Sequence, residues 1–300
     1  MFNSIVSAII KFIYSRLSRV DLFHNYAALN KISNFVAPVI LHPFGKCKVT
    51  RVDAWGVKSE WTAPKGDETT DRYIFFIHGG GFTLFSTTFY RDMVCRLAVL
   101  SKARVLSLNY RLAPKCPYPA ALDDVINAYS WLISTGVNAA RVAVIGDSAG
   151  GGLTLSLLQY LRDHKIPLPA CAVCISPWAD LTQSGDFYEE KRKKDHLMKG
   201  NALRDCAANY LQGKDSRDPA VSPVFGDFCG LPPILFQAGG DEVLLNDART
   251  AYEKSKDAGT EAELTVWPGM VHDFQLWAKI LPDGRKAMRE IGAFVKKHIP

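Results

Sequence analysis

The pentapeptide Gly146-Asp147-Ser148-Ala149-Gly150 fits the pattern G-x-S-x-G, which is typical of a serine nucleophile on a sharp strand-to-helix turn. A serine hydroxyl is a weak nucleophile at neutral pH, so it needs a general base, and the base needs a carboxylate to orient it. An ordinary glycine-rich turn with an incidental serine is the alternative. The sequence around Ser148 and the available partner residues decide between the two.

The segments on either side of Ser148 predict the strand and the helix that such a turn requires. After Arg141, residues 142–145 are apolar and mostly β-branched, as in a strand that is buried on both faces of a parallel sheet. After the turn, apolar residues recur at three- and four-residue spacing, which is typical of one face of a helix. They are Leu153, Leu157, Leu158 and Leu161. Glycines 146, 150 and 151 leave room for the bend, and we favour a nucleophile elbow.

His272 is the histidine best placed to act as the base for Ser148. It follows a predicted strand, so it can reach the same edge of the sheet as the serine, whereas the other histidines lie in a glycine loop, in surface or helical segments, or near the C-terminus. Asp241 and Glu242 follow another predicted strand. Successive side chains in extended backbone point apart, so we expect only one of these acids to reach His272. The chain order serine, acid, histidine is that of an α/β-hydrolase.

A second glycine-rich segment, His78-Gly79-Gly80-Gly81, directly follows the predicted strand 73–77. Backbone N–H groups aimed at a developing oxyanion can contribute about 3–4 kcal/mol to acyl transfer. The candidate donors are the amides of Gly79, Gly80, Gly81 and Ala149. A phosphate loop is disfavoured because no Lys-Ser/Thr pair follows the glycines, and no G-x-G-x-x-G opens a helix.

Strand and helix patterns alternate over about 230 residues, which predicts an α/β fold with a mostly parallel central sheet flanked by helices. An antiparallel pair, 48–55 and 57–62, precedes five strands at 73–77, 104–109, 141–145, 171–176 and 234–238, and a last one at 263–267. About 55 residues separate the strand ending near Trp178 from the next, longer than one crossover needs. We interpret residues 182–215 as an insertion over the site, with Leu197, Met198 and Tyr210 as candidate lining.

Composition and charge exclude several function classes. With 300 residues, 48% of them hydrophobic, the chain is long enough for one large α/β domain. The net charge of +6 is spread along the chain, and the basic run 191–194 adjoins Glu189-Glu190, so a solvated helix face is favoured and nucleic acid is not expected. The seven cysteines, including a C-x-x-C at Cys171 and Cys174, are interpreted as buried or incidental residues, and no metal site or disulfide framework is expected. Reduced thiols and a cytoplasmic location are predicted, with no metal and no cofactor.

The N-terminal segment is apolar but too short to span a membrane, and no basic region precedes it as in a signal peptide. Apolar residues recur there at helical spacing, at Ile5, Ile9, Phe12, Ile13, Leu17 and Val20, with Lys11, Arg16 and Arg19 on other faces. This pattern predicts an amphipathic helix. We favour its packing on the domain, and binding to a membrane surface is the alternative.

Several motifs together resemble those of the hormone-sensitive-lipase-like esterases, family IV of the α/β-hydrolase superfamily. They are His78-Gly79-Gly80-Gly81-Phe82, Asn109-Tyr110-Arg111-Leu112-Ala113-Pro114 with Tyr118-Pro119-Ala120-Ala121, Gly146-Asp147-Ser148-Ala149-Gly150-Gly151, Ser176-Pro177-Trp178-Ala179-Asp180-Leu181, and Gly269-Met270-Val271-His272-Asp273-Phe274. They occur in the family's order over residues 78–274. The chain departs from the family at two positions that usually carry acidic residues and that are Asn109 and Lys115 here. We expect altered ion pairing at these positions without loss of activity.

The resemblance implies specific roles. Ser148 would be the nucleophile, His272 the base, and the glycine and Ala149 amides the oxyanion donors. The family's acid-x-Leu pattern fits Glu242, although the family more often has aspartate; Asp241 is the alternative. The resemblance also implies that residues 1–45 form a helical cap with about 182–215, over an α/β-hydrolase catalytic domain of residues 46–300.

The sequence therefore predicts a serine carboxylesterase that hydrolyses small-molecule esters with short to medium acyl chains. A homodimer through the last edge of the sheet is compatible with such a fold, and no residue pattern selects it. An amidase or deacetylase, as in the similar arylacetamide deacetylases, would use the same groups. A ligand-binding protein with this fold is the alternative outside enzymology, and it is disfavoured because serine, histidine and an acid are all present.

Overall fold

The structure, a computed structural model, describes residues 45–184 and 201–300 together with positions 8, 10–12, 30–32, 35, 188, 195 and 198. Most of the two predicted cap segments, including Leu197, lies outside the described residues. The division of the chain into cap and catalytic domain therefore stays a prediction.

One sheet of eight strands runs through the described part of the chain, in the order β1-β2-β4-β3-β5-β6-β7-β8. β1 pairs antiparallel with β2, and β2 with β4, whereas the other pairs are parallel. The strands are β1 (Cys47–Ala54), β2 (Val57–Pro64), β3 (Tyr73–Ile77), β4 (Arg104–Leu108), β5 (Val142–Asp147), β6 (Cys171–Ile175), β7 (Ile234–Gly239) and β8 (Ala262–Trp267). The predicted mostly parallel sheet is confirmed.

Helices cover both faces of the sheet. They are α1 (Thr87–Ser101), α2 (Ala120–Ser134), α3 (Ala149–Asp163), α4 (Ala202–Leu211), α5 (Leu245–Asp257) and α6 (Pro282–His298). Successive side chains of β3 alternate between the two faces: Phe75 packs with α2 and α3, and Phe76 packs with α1 and α6. A strand that is apolar on both faces needs a helix layer on each side. Because the central strands are parallel, their carboxyl ends lie at one edge of the sheet, where the loops that follow them can meet.

The cysteine prediction is wrong in one respect, because Cys47 and Cys95 form a disulfide with a Cα–Cα separation of 5.9 Å. Cys47 begins β1 and Cys95 lies inside α1, and 48 positions separate them. Their proximity arises only from packing of α1 near the start of β1, which spacing along the chain does not reveal. Cys171 and Cys174 are free and buried in β6, and burial raises the pKa of the Cys171 thiol to about 12. This pair is consequently an unreactive part of the core.

The described positions of the N-terminal segment revise its predicted apolar face. Ile10 is buried against Met270 and Val271, whereas Phe12 is 58% exposed. Lys11, predicted on another face, bonds Asp241 at 2.7 Å. Among the described positions 10–12, Ile10 and Lys11 therefore contact the domain, whereas Phe12, from the predicted apolar face, is largely exposed. Within the described residues, no helix is both long and apolar enough to cross a membrane.

Candidate active site

Ser148 lies on a sharp turn between β5 and α3 and has a positive φ of 52°. A non-glycine residue at positive φ is strained and persists only when its surroundings hold it. Here the Ser148 N–H donates to Ile175 O at 2.8 Å, and its carbonyl accepts from Trp178 N at 2.9 Å. A Cβ at Gly146 would collide with the backbone of Gly150. These contacts produce the predicted elbow.

Glu242 and His272 lie against each other in the buried interior beside this edge of the sheet. His272 Nδ1 is 3.2 Å from Glu242 Oε2, and Ser176 Oγ donates to the same oxygen at 2.9 Å. Asp241 is directed elsewhere: its carboxylate is 43% exposed and bonds Lys11. Of the two neighbouring acids, the geometry brings only Glu242 to His272. Glu242 Oε1 is buried and finds no hydrogen-bond partner in the described part of the chain, so the Oε2 contacts carry the interaction.

The other ring nitrogen of His272 faces an acid that the sequence interpretation did not single out. His272 Nε2 is 2.9 Å from Asp273 Oδ2, and Asp273 adopts φ 50°, a left-handed conformation that aspartate tolerates. Among the described residues, the Ser148 hydroxyl has no hydrogen bond to His272. The only sequence signal for Asp273 was its position next to His272. That signal is weak, because neighbouring side chains rarely meet unless the backbone turns between them.

The two carboxylates set the protonation of His272. Burial alone lowers its pKa, but the charge and hydrogen bond of Asp273, followed by those of Glu242, outweigh burial and raise the pKa well above the ordinary value. Asp147 is the next acid near this pair, and burial together with the charge of Asp273 raises its own pKa. The raised pKa favours the protonated form of His272 in the free enzyme, and His272 must lose this proton before it can act as a base.

Substitution of Asp273 by asparagine is therefore expected to shift the acid limb of the pH profile of kcat/KM to lower pH. The change removes one of the negative charges that raise the pKa of His272 and keeps a side chain that tolerates the left-handed backbone. The measurement is ester hydrolysis between pH 4 and 9, with Asp257→Asn, an exposed acid at the end of α5, as the matched control. If the midpoint of the acid limb is the same in Asp273→Asn as in the parent, Asp273 does not raise the pKa of His272.

The candidate oxyanion loop follows β3, and the structure corrects one of its predicted donors. Gly79 N–H donates to Asp147 Oδ1 at 3.0 Å and is thereby occupied. A Cβ at Gly79 would overlap the Asp147 carboxylate, so the close approach that glycine permits serves this bond. Gly80 and Gly81 have φ values of 104° and 60°. Within the described residues, no acceptor is found for the amides of Gly80, Gly81 or Ala149, and these three remain candidate donors.

His78 is a structural part of the same loop. Its ring stacks on Tyr110 with centroids 4.3 Å apart, and its Nδ1 lies 2.7 Å from Gly79 O. Burial lowers the pKa of His78 to about 4, so the ring is neutral at pH 7. The Tyr110 hydroxyl donates to His78 O at 2.8 Å. The tyrosine of the predicted motif thus fixes the start of the loop.

The remaining predicted positions divide between structural roles and the surroundings of the loop. Asn109 Oδ1 accepts the amide of Thr87 at 2.9 Å, which satisfies an N–H group at the start of α1. Lys115 is exposed. Tyr210 of α4 stacks on Phe82 with ring centroids 3.8 Å apart, and Met198 is half-buried. Tyr210 therefore borders the glycine loop.

Comparisons with known proteins agree with this geometry. The family model of the alpha/beta hydrolase fold matches residues 74–276. An acetyl-hydrolase of Streptomyces hygroscopicus is 41% identical over 238 residues, 79% of each chain. An esterase from the bacterial hormone-sensitive lipase family superimposes with a TM-score of 0.86 at 38% identity, covering 90% of this chain and 91% of that one. EstE5, in a crystal soaked by p-nitrophenyl butyrate, superimposes with a TM-score of 0.91 at 33% identity over 98% of both chains.

The chain belongs to the alpha/beta hydrolase fold family, because the family model covers more than half of it and the fold is the same. Within that class it is a carboxylic ester hydrolase of the hormone-sensitive-lipase-like group, family IV. The resemblance that the sequence motifs indicated is thereby confirmed.

Proposed function

We propose that this enzyme is a serine carboxylesterase for small esters with short to medium acyl chains, in which Ser148 is the nucleophile, His272 the base and Glu242 the orienting acid. The observation that carries the proposal is the buried contact between His272 Nδ1 and Glu242 Oε2, beside a serine on an elbow. A neutral histidine whose Nδ1–H is held by a carboxylate presents Nε2 as the proton acceptor.

Hydrolysis would proceed in two acyl-transfer steps. The Ser148 oxygen bonds to the ester carbonyl carbon while its proton passes to His272 Nε2, which first leaves its contact with Asp273. The tetrahedral oxyanion is stabilised by the amides of Gly80, Gly81 and Ala149. Collapse breaks the bond to the alkoxide, which takes the proton from His272. Water then attacks the acyl-enzyme by the same route and releases the carboxylic acid.

Two findings favour a small acyl group. The side of the glycine loop near Phe82 is filled by aromatic rings: that of Tyr210 stacks on Phe82 with centroids 3.8 Å apart, and that of Trp178 packs on it at a tilt, 5.6 Å between centroids. Packed rings leave little space for a long chain on that side. The names of the similar proteins, an acetyl-hydrolase and an esterase soaked with a butyrate ester, point to the same size class.

The test is hydrolysis of p-nitrophenyl esters from acetate to long-chain acyl groups by the purified enzyme. We expect kcat/KM to be greatest for acetate to hexanoate and to fall by about tenfold or more for long chains, since a misfitting group costs on the order of 1–3 kcal/mol in the transition state. A preference that rises steadily with chain length would contradict the proposed substrate class, and inactivity on every ester would overturn the proposed chemistry.

A cytoplasmic location, the formation of a homodimer and the absence of nucleic-acid binding stay predictions. The Cys47–Cys95 disulfide is more typical of an oxidising compartment than of the cytosol, so it weighs against the predicted location. None of these properties enters the mechanism.

A further inference from the structure

The loop after Gly81 is held by a side chain from the N-terminal segment. Asn30 Nδ2 donates to Thr83 O at 3.0 Å, and Asn30 Oδ1 accepts from Phe85 N at 2.6 Å. One side-chain amide thus satisfies a carbonyl and an N–H group two residues apart. Both halves of the amide are used, so the contact fixes the direction of the loop backbone as well as its distance.

This part of the loop needs external support because its backbone is strained. Phe82 and Phe85 have positive φ values of 62° and 75°, and the φ values of Gly80 and Gly81 are also positive. A non-glycine residue in such a conformation is strained and persists only when its surroundings enforce it. The Ala113 N–H donates to Phe82 O at 2.9 Å, and the Asn30 side chain bonds Thr83 and Phe85.

The strained turn is connected directly to a candidate oxyanion donor. Thr83 N and Leu84 N both donate to Gly80 O, at 3.1 and 2.9 Å. The Gly80 carbonyl and the Gly81 N–H belong to one planar peptide group and point in opposite directions. Whatever fixes Thr83 and Leu84 therefore also fixes the direction of the Gly81 N–H.

We propose that Asn30 is a positioning residue for catalysis: by bonding Thr83 O and Phe85 N, it holds the Gly80–Gly81 peptide so that the Gly81 N–H can stabilise the oxyanion. The inference rests on the proposed function of this loop and deepens it. It assigns to the N-terminal segment a part in the chemistry, distinct from covering the substrate. The segment has a second attachment, Lys11 to Asp241 with Ile10 beneath it, so the loss of Asn30 need not detach it.

The test compares Asn30→Ala with the parent and with Lys31→Ala, its exposed neighbour in the same segment. Removal of an oxyanion donor costs about 10²–10³-fold in kcat, so a donor that loses its support is expected to cost about ten- to a hundredfold. KM for p-nitrophenyl acetate should stay within about twofold, because a misdirected donor weakens the transition state more than the ground state. Lys31→Ala should match the parent.

Two further measurements separate positioning from a merely structural role. A trifluoromethyl ketone forms a tetrahedral oxyanion on the serine, so its affinity should fall in Asn30→Ala by the same factor as kcat, whereas the affinity of acetate as a product inhibitor should not. Asn30→Asp keeps the acceptor for Phe85 N but places an oxygen against Thr83 O. Its kcat should therefore also fall, and its near-identical size keeps the test valid if Asn30→Ala is unstable.

The outcomes distinguish this inference from the proposed function. If the parent is inactive on esters, or remains active as Ser148→Ala, the proposed function fails and this inference falls with it. If the parent is active but Asn30→Ala and Asn30→Asp change only KM or the thermal midpoint, or leave the inhibitor affinity unchanged, the role of Asn30 alone is overturned.

Discussion

Replacement of Ser148 by alanine is expected to lower kcat/KM for p-nitrophenyl acetate by at least about 10⁴-fold, the scale on which loss of the nucleophile reduces serine hydrolases. The effect is large because the acyl-enzyme cannot form, and the remaining groups can only polarise the carbonyl for attack by water. The small residual rate should come from the oxyanion donors and from binding. The measurement is initial-rate kinetics, with stoichiometric labelling by an organophosphonate as a second readout.

The matched control for this variant is Ser156→Ala, which removes a buried serine hydroxyl from the same helix, away from the elbow. Ser156→Ala should retain parental kcat and full labelling. Equal activity in Ser148→Ala and the parent would exclude Ser148 as the nucleophile. If Ser148→Ala loses activity but is still labelled by the organophosphonate, the group that reacts with the label is a residue other than Ser148.

Substitution of Glu242 by glutamine is expected to reduce kcat by about 10⁴-fold, whereas Asp241→Asn should leave it within about twofold. A glutamine that presents its amide to Nδ1 stabilises the wrong tautomer of His272, and the neutral side chain no longer stabilises the imidazolium that forms. Asp241 forms a partly exposed ion pair with Lys11, so its neutralisation removes little free energy. The comparison uses two adjacent acids as each other's controls.

Steady-state kinetics and circular dichroism of both variants test this prediction. The reverse pattern, with Asp241→Asn inactive and Glu242→Gln active, would assign the triad acid to Asp241. A similar small loss in both would mean that His272 needs no carboxylate on Nδ1.

The elements that the sequence predicted well are those with a local cause. β3 and the strand before Ser148 are continuous apolar runs that only a two-sided sheet can bury, and their observed bounds differ from the predicted ones by two residues at most. The elbow was predictable because a strand that turns at once into a helix needs glycines at fixed positions. Ser148 and His272 follow from these elements, because both lie just beyond strand ends.

The contacts that sequence could not predict depend on packing between distant segments or on small backbone rotations. Asp241 and Glu242 are neighbours, and which of them turns toward His272 depends on the loop conformation after β7. The bond from Gly79 to Asp147 joins residues 68 positions apart, so it was not visible that one of three glycine amides is already occupied. Asp273 reaches Nε2 only because its own backbone is left-handed.

The order of strands in the sheet has a consequence for biosynthesis. The glycine loop follows β3, Ser148 follows β5, Glu242 follows β7, and His272 follows β8, which among the described strands pairs with β7 alone at the edge of the sheet. Contacts between segments so far apart in the chain form late, after costly loop closure. In the proposed mechanism, a nascent chain that ends before residue 272 carries Ser148 without its base. We therefore expect hydrolytic activity only from the completed sheet, so that turnover would report that folding has finished.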